Sequence, residues 1–120
     1  MKIYQPNTSV LDDELIDLGD PENLGGKVLA GAPKISARID FHENGMTAGI
    51  FEATTGKVEI HMPFTEHATI IEGEVIITDE SGNSHTYKPG DSYFIKQGQV
   101  LIWDVQGQRV RKSFFNITQN

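Results

Sequence analysis

Residues 66–75, with the sequence EHATIIEGEV, indicate the fold of this chain most clearly. A short apolar run ends at Ile71, Glu72-Gly73 interrupts it, and a second run begins at Glu74. Further along, residues 88–98 (KPGDSYFIKQG) contain a Pro-Gly turn, a short apolar run and another glycine turn. Short runs rich in apolar and β-branched residues between Gly and Pro turns are typical of strands. This part of the chain therefore predicts strands joined by tight turns.

The same pattern extends from Lys27 to the C-terminal end. The turns include Asn44-Gly45, Ser81-Gly82-Asn83 and Pro89-Gly90, which are favoured hairpin and turn sequences. About ten strands without helical crossovers predict an all-β sandwich, barrel or jelly roll. The predicted strands are Val28-Leu29, Lys34–Phe41, Thr47–Glu52, Lys57–Met62, Glu66–Ile71, Glu74–Thr78, His85–Tyr87, Ser92–Ile95, Val100–Val105 and Arg109–Ile117.

The N-terminal part has a different pattern. A strand at Lys2–Gln5 is one option. Ser9–Leu18 predicts a short helix, because Ser9 is a suitable N-cap and leucines recur at helical spacing. Gly19-Asp20-Pro21 would end that helix. We therefore expect an N-terminal extension with a short helix at residues 1–26 and one β-domain at residues 27–120.

Composition limits the partners and the location. The chain has 17 Asp and Glu against 10 Lys and Arg, a formal net charge of −7. This charge disfavours binding to nucleic acid and to anionic membrane surfaces. The 120 residues contain no cysteine, so disulfides and thiolate chemistry are excluded. Because no secretory signal or membrane-spanning apolar run is evident, we expect a cytoplasmic location.

The two quoted stretches resemble the two motifs of the cupins, with Lys96 where the second motif usually has proline. Further stretches are similar to the small single-domain cupins of the ureidoglycine-aminohydrolase and ethanolamine-utilisation type. These stretches are Phe51–Lys57, Thr65-Glu66, Trp103 and Arg111–Phe114. The resemblance implies a double-stranded β-helix, the cupin jelly roll, with a cup that holds a small molecule.

The resemblance also implies candidate metal ligands. Cupins generally bind a metal through two His, the Glu of the first motif and a His of the second. In this chain Glu66 takes the Glu position, His61 and Glu59 take the two His positions, and Leu101 takes the last. One His with two carboxylates would suit Mn, Fe, Ni or Zn. Leu101 cannot ligate a metal, which weakens this assignment.

Strand alternation places Glu59 and His61 on one face of their strand. One interpretation brings them together with Glu66 in a polar corner of the cup, where two close carboxylates would repel each other. The alternative is that Glu59 and His61 lie on a solvated face and that Glu66 only accepts hydrogen bonds. Alternation also predicts an apolar cup wall, formed by Ala68, Ile95, Leu101, Trp103 and Val105.

Two further residues are candidates for binding a ligand. Tyr93 could donate a hydrogen bond to it or simply pack. Arg38 could reach the cup and hold a carboxylate, or it could stay on the surface. With Leu101 and Trp103, these residues form the predicted substrate-binding set.

Three functions remain open at this point. In the first, His61 and Glu66 are the acid–base pair of an enzyme that acts on a small polar metabolite, with metal-assisted lyase, hydrolase or aminohydrolase chemistry. In the second, the cup binds a ligand without turnover, and in the third it is vestigial. We also expect a homodimer, because open sheet edges and apolar outer faces need covering. Residues Met1–Gln5 are a candidate to add to the partner's sheet.

Overall fold

The computed structural model describes residues 1–6 and 10–119, without the side chain of Asp12. This part of the chain contains eight strands and two single 3₁₀ turns, at Asp12–Glu14 and Pro21–Leu24. The strands are β1 (Ile16–Gly19), β2 (Gly26–Gly31), β3 (Ile35–Glu43), β4 (Met46–His61), β5 (Thr65–Thr78), β6 (Ser84–Tyr87), β7 (Ser92–Ile95) and β8 (Val100–Ile117). None of the described helical segments has the length and apolar character needed to cross a membrane.

All strand pairs are antiparallel, which confirms the all-β prediction. The strand order is β1-β3-β4-β8-β5-β6, with β2 added to β4 and β7 added to β5. β4 pairs with β3 through its first half and with β2 through its second. β5 likewise pairs first with β7 and then with β6. Because the long strands change neighbours midway, the sheet folds over itself as a jelly roll around one inner core.

Each long strand also changes its inward face midway. On β4, Phe51 and Ala53 pack in the inner core before a register shift at Thr54–Gly56, and Val58 packs there after it. β5 has register shifts between Ile70 and Glu74. Bulges bend strands and redirect their side chains. Breaks predicted at Thr54–Gly56, Glu72-Gly73 and Gln106-Gly107 therefore fall inside continuous strands, and three pairs of predicted strands merge.

The predicted helix over Ser9–Leu18 is wrong. Ser9 itself lies outside the described residues, but Ile16–Gly19 is a strand paired with β3. Leu15 packs on the outer side of the sheet and Leu18 on the inner core, so the two leucines lie on opposite sides of the sheet. Pairing with β3 has overridden a weak helical pattern. The option of a strand at Lys2–Gln5 is also wrong, because no sheet pairing includes these residues.

The N-terminal segment covers part of the outer face of its own sheet. Val10 is buried there with Ile50 and Ile71, and Tyr4 and Leu15 pack against them. Ile50 and Ile71 have no exposed surface. The sheet therefore has two apolar sides, a large inner core and a small outer cluster under this segment.

The bulge in β5 gives a testable prediction. Gly73 has φ 79°, and a Cβ there would lie 2.0 Å from the carbonyl oxygen of Arg109. Replacing Gly73 with Ala should lower the free energy of unfolding by more than about 3 kcal/mol, since backbone would have to move. Gly107→Ala is the control, because Gly107 has φ 66° with nothing within 4 Å of its Cβ position. It should cost about 1 kcal/mol. If urea unfolding shows the same decrease in the free energy of unfolding for both variants, the bulge geometry is contradicted.

Candidate functional site

The inner core encloses a cavity of about 280 Å³, which we call the cup. Most of its wall is apolar, and five aromatic side chains contribute to it: Phe51, Phe64, Tyr93, Trp103 and Phe114. As predicted, Ile95, Leu101, Trp103 and Val105 also line the cup, while Ala68 is buried in the same core. Pockets of this kind, with apolar walls and few polar groups, are typical of small-molecule sites.

One polar cluster lies in this apolar surrounding. The ammonium group of Lys112 donates hydrogen bonds to Glu66 Oε2 at 2.8 Å and to the Tyr93 hydroxyl at 2.7 Å. The Tyr93 hydroxyl in turn donates to the same Glu66 oxygen at 2.6 Å. All three residues are at least nine-tenths buried. Three strands supply them, since Glu66 lies on β5, Tyr93 on β7 and Lys112 on β8.

Aromatic rings surround the Lys112 ammonium group. Its Nζ lies 4.7 Å from the centroid of Trp103, 4.9 Å from that of Phe51 and 5.4 Å from that of Tyr93. A cation is attracted to the faces of such rings, and more strongly where water is excluded. The rings and the Glu66 carboxylate therefore both attract the Lys112 side chain to this position.

Burial raises the pKa of the Tyr93 phenol well above its usual value, and the negative charge of Glu66 raises it further. Tyr93 therefore keeps its proton and acts as a hydrogen-bond donor to the carboxylate. In this arrangement, Glu66 is a carboxylate with two donors on one oxygen.

Three groups in the cup retain unused hydrogen-bonding capacity. Lys112 has a third N–H, since its two hydrogen bonds use only two. Within residues 1–6 and 10–119, no hydrogen bond joins Glu66 Oε1 or the side-chain amide of Asn116 to another residue. Asn116 is 6% exposed and lines the cup. Every fully occluded side-chain N or O atom of the described residues has a partner. The unused atoms of Glu66 and Asn116 must therefore face open space in the cup.

Glu59 and His61 do not join Glu66. Val58 and Ile60 of their strand, and Met62 directly after it, line the cup. His61 is exposed and Glu59 is half-buried on the opposite face of the strand. The predicted convergence of the three side chains is wrong, because burying the apolar face of this strand is favoured over burying its polar face. Repulsion between two carboxylates does not arise, since the close partner of Glu66 is a cation.

Arg38 does not reach the cup either. It lies on the outer face, where its guanidinium contacts Asp40 at 3.0 Å and Glu14 at 2.7 Å. Asp40 also accepts a hydrogen bond from Tyr4. The prediction that Arg38 holds a ligand carboxylate is therefore wrong. These contacts instead fasten the N-terminal segment to the sheet.

Lys112 and Asn116 are the site residues that sequence reasoning missed. Lys112 lies in the stretch Arg111–Phe114, which indicated the family but not a site residue. Alternation along β8 nevertheless contained the signal, since Val110, Lys112, Phe114 and Asn116 share one face. Two apolar residues on that face indicate burial, and a lysine between them needs a buried partner.

The residues of the cup do not fit a divalent metal ion. Among the described residues, no group of three or more His, Cys, Asp or Glu side chains is placed to hold one. Glu66 is the one carboxylate among the described residues that line the cup, and its Oε2 is already bonded to an ammonium group. The residues predicted to hold Mn, Fe, Ni or Zn, which are Glu59, His61 and Glu66, are therefore not brought together in the cup.

Comparisons with known proteins agree with this architecture. The model of the EutQ-like cupin domain matches residues 42–114. The EutQ protein of Clostridium difficile is 16% identical, with a TM-score of 0.65 over 92% of this chain and 81% of that one. A putative ethanolamine utilization protein Q from Salmonella typhimurium is 20% identical, with a TM-score of 0.61 over 75% of this chain and 72% of that one.

A protein of unknown function from Pseudomonas syringae, of the DUF861 family, has a TM-score of 0.75 at 24% identity. It aligns with 85% of this chain, which spans only 43% of that longer protein. No curated protein sequence matches the chain. Identities this low show a shared fold and leave the ligand to be argued from the cup itself.

The buried ion pair gives a stability prediction. Glu66→Gln should lower the free energy of unfolding by about 3 kcal/mol, because it leaves the Lys112 charge buried without a counter-charge. Lys112→Met should cost a similar amount alone and much less in the Glu66→Gln background. Glu59→Gln, on the opposite face, is the matched control and should change stability by less than about 0.5 kcal/mol. If the losses of unfolding free energy in Glu66→Gln and Lys112→Met simply add in the double variant, Glu66 and Lys112 are not coupled.

Tyr93 gives a pH prediction. An unfolded phenol loses its proton near pH 10, and folded Tyr93 loses its proton only at higher pH. The folded state therefore holds the extra proton in this window, so its contribution to stability is complete below about pH 10 and declines above it. We expect unfolding free energies measured from pH 8 to 11 to fall less steeply in Tyr93→Phe than in the unmodified protein. The same pH dependence of the unfolding free energy in both proteins would contradict the raised pKa of Tyr93.

Proposed function

This chain belongs to the EutQ-like cupin domain family, and we propose that its cup binds a small uncharged organic molecule with a ring-sized apolar body and a carbonyl-type head group. The observation that carries the proposal is the unused hydrogen-bonding capacity of Lys112, Glu66 and Asn116 inside an apolar cavity. A ligand whose polar atoms match these unused groups gains affinity and a fixed orientation in the cup.

Charge balance supports an uncharged head group. Glu66 and Lys112 already neutralise each other at 2.8 Å. A carboxylate or ammonium ligand would add an uncompensated charge to a mostly apolar cup, which is unfavourable. A carbonyl can instead accept from the free N–H of Lys112 or from Asn116, while an adjacent N–H or O–H donates to Glu66 Oε1.

The same contacts support a second candidate, an enzyme that moves a proton on its ligand. A carbonyl polarised by the Lys112 ammonium makes neighbouring protons more acidic, and Glu66 Oε1 is free to accept one. His61 has no part in this chemistry, since it is exposed on the opposite face of β4. The binding mode is the same in both candidates.

Three probes with one ring and different charges test the proposal: benzamide, benzoate and benzylamine. By NMR titration we expect benzamide to bind at least about tenfold more tightly than either charged probe, a difference of about 1.4 kcal/mol. Asn116→Leu should weaken benzamide binding, and Glu59→Gln should leave it unchanged because Glu59 is outside the cup. Preference for benzoate or benzylamine would overturn the proposed charge selectivity.

We also propose a homodimer that pairs through the outer face. Phe94 and Phe115 flank His67 across three neighbouring strands, where they are 67% and 41% exposed. Exposed aromatic residues in a row are typical of interfaces. Light scattering should give a dimer at micromolar concentration, and Phe94→Ser with Phe115→Ser should give a monomer. Leu29→Ser, at an exposed apolar residue outside this row, is the control. A monomeric unmodified protein would refute the dimer.

A further inference from the structure

We propose that the Lys112 ammonium is the resident cation of the cup, so that it takes the place of a divalent metal ion and excludes one. This inference does not depend on the ligand proposed above. The contacts of Lys112 and Glu66 decide which cation the Glu66 carboxylate holds.

The Lys112 ammonium group already occupies the position next to Glu66 that a metal ion would need. Lys112 Nζ contacts Glu66 Oε2 at 2.8 Å and the Tyr93 oxygen at 2.7 Å. A metal ion bound by Glu66 would have to share these oxygens with Nζ or lie close to it. Repulsion between two cations at such a distance is strong where water is excluded. Lys112 would have to move away first, and its contacts with Glu66, Tyr93 and the surrounding rings oppose that movement.

The atoms around Lys112 Nζ also suit an ammonium group better than a divalent metal ion. Besides the oxygens of Glu66 and Tyr93, the rings of Phe51, Tyr93 and Trp103 surround Nζ at 4.7–5.4 Å. Divalent ions need several oxygen or nitrogen ligands, whereas aromatic faces with one carboxylate recognise an organic ammonium ion. The site thus has the features of an ammonium-binding cage that the protein fills with its own side chain.

This leads to a specific expectation for a truncated side chain. Lys112→Ala removes three methylene groups and the ammonium, a fragment equivalent to n-propylammonium. The variant should keep Glu66 and the three rings around an empty space of that shape. A small apolar cavity with matched partners can bind the missing fragment as a separate molecule. Propylammonium should therefore restore stability that the substitution removes.

The experiment compares thermal unfolding of the unmodified protein, Lys112→Ala and the double variant Lys112→Ala with Glu66→Gln. Each is measured with propylammonium chloride, with sodium chloride at equal ionic strength, and with Mn²⁺, Ni²⁺ or Zn²⁺. We expect propylammonium to raise the Tm of Lys112→Ala in a concentration-dependent way. The unmodified protein and the double variant should show no such shift beyond that of sodium chloride.

Two results would overturn the inference. One is a Tm of Lys112→Ala that responds equally to propylammonium and sodium chloride. The other is a stoichiometric site for Mn²⁺, Ni²⁺ or Zn²⁺ in the unmodified protein, seen by calorimetric titration and lost in Glu66→Gln but not in Glu59→Gln. This titration needs no Lys112 variant, so it decides the matter even if Lys112→Ala does not fold. Loss of benzamide binding alone would count against the ligand proposal and not against this inference.

Discussion

The ion pair between Lys112 and Glu66 is the constraint on which the arrangement of the cup depends. A buried charge is tolerated only with a close partner, so β5 and β8 must present these two residues to the same side of the sheet. Tyr93 adds the same requirement for β7. A slip of β8 by one residue would turn Lys112 outward and bring Arg111 or Ser113 inward. Glu66, Tyr93 and Lys112 can therefore meet in the cup only when β5, β7 and β8 pair in this register.

The bulges in the long strands make this pair compatible with an apolar cavity. On β8, Leu101, Trp103 and Val105 face inward before the bulge, and Val110 and Lys112 face inward after it. Without that change of face, one half of each strand would place its polar residues in the core. Gly73 permits the corresponding bend in β5, since its backbone conformation and its close approach to Arg109 exclude a side chain. Local backbone geometry therefore decides which residues form the functional surface.

Much of the fold could be predicted from the sequence, because strand alternation and turn residues are local signals. Alternation placed Leu101 and Trp103 on one face of their strand, and the resemblance to the second cupin motif turned that face toward the cup. The polar site could not be predicted in the same way, since a fixed spacing from Glu66 to His61 does not determine which face of a strand becomes buried. The apolar residues Val58, Ile60 and Met62 decide that face. The N-terminal segment was also mispredicted, because its strand exists only through pairing with β3.

The arrangement of the cup requires a buried, charged pair between Lys112 and Glu66. NMR spectra of the ¹⁵N-labelled lysine side chains test it most directly. We expect one lysine to give a slowly exchanging signal with the nitrogen shift of an ammonium group at neutral pH, and this signal to be absent in Lys112→Met. It should shift or broaden in Glu66→Gln and stay unchanged in Glu59→Gln. A Lys112 nitrogen with the shift of a neutral amine, or with the rapid exchange of the surface lysines, would contradict the account.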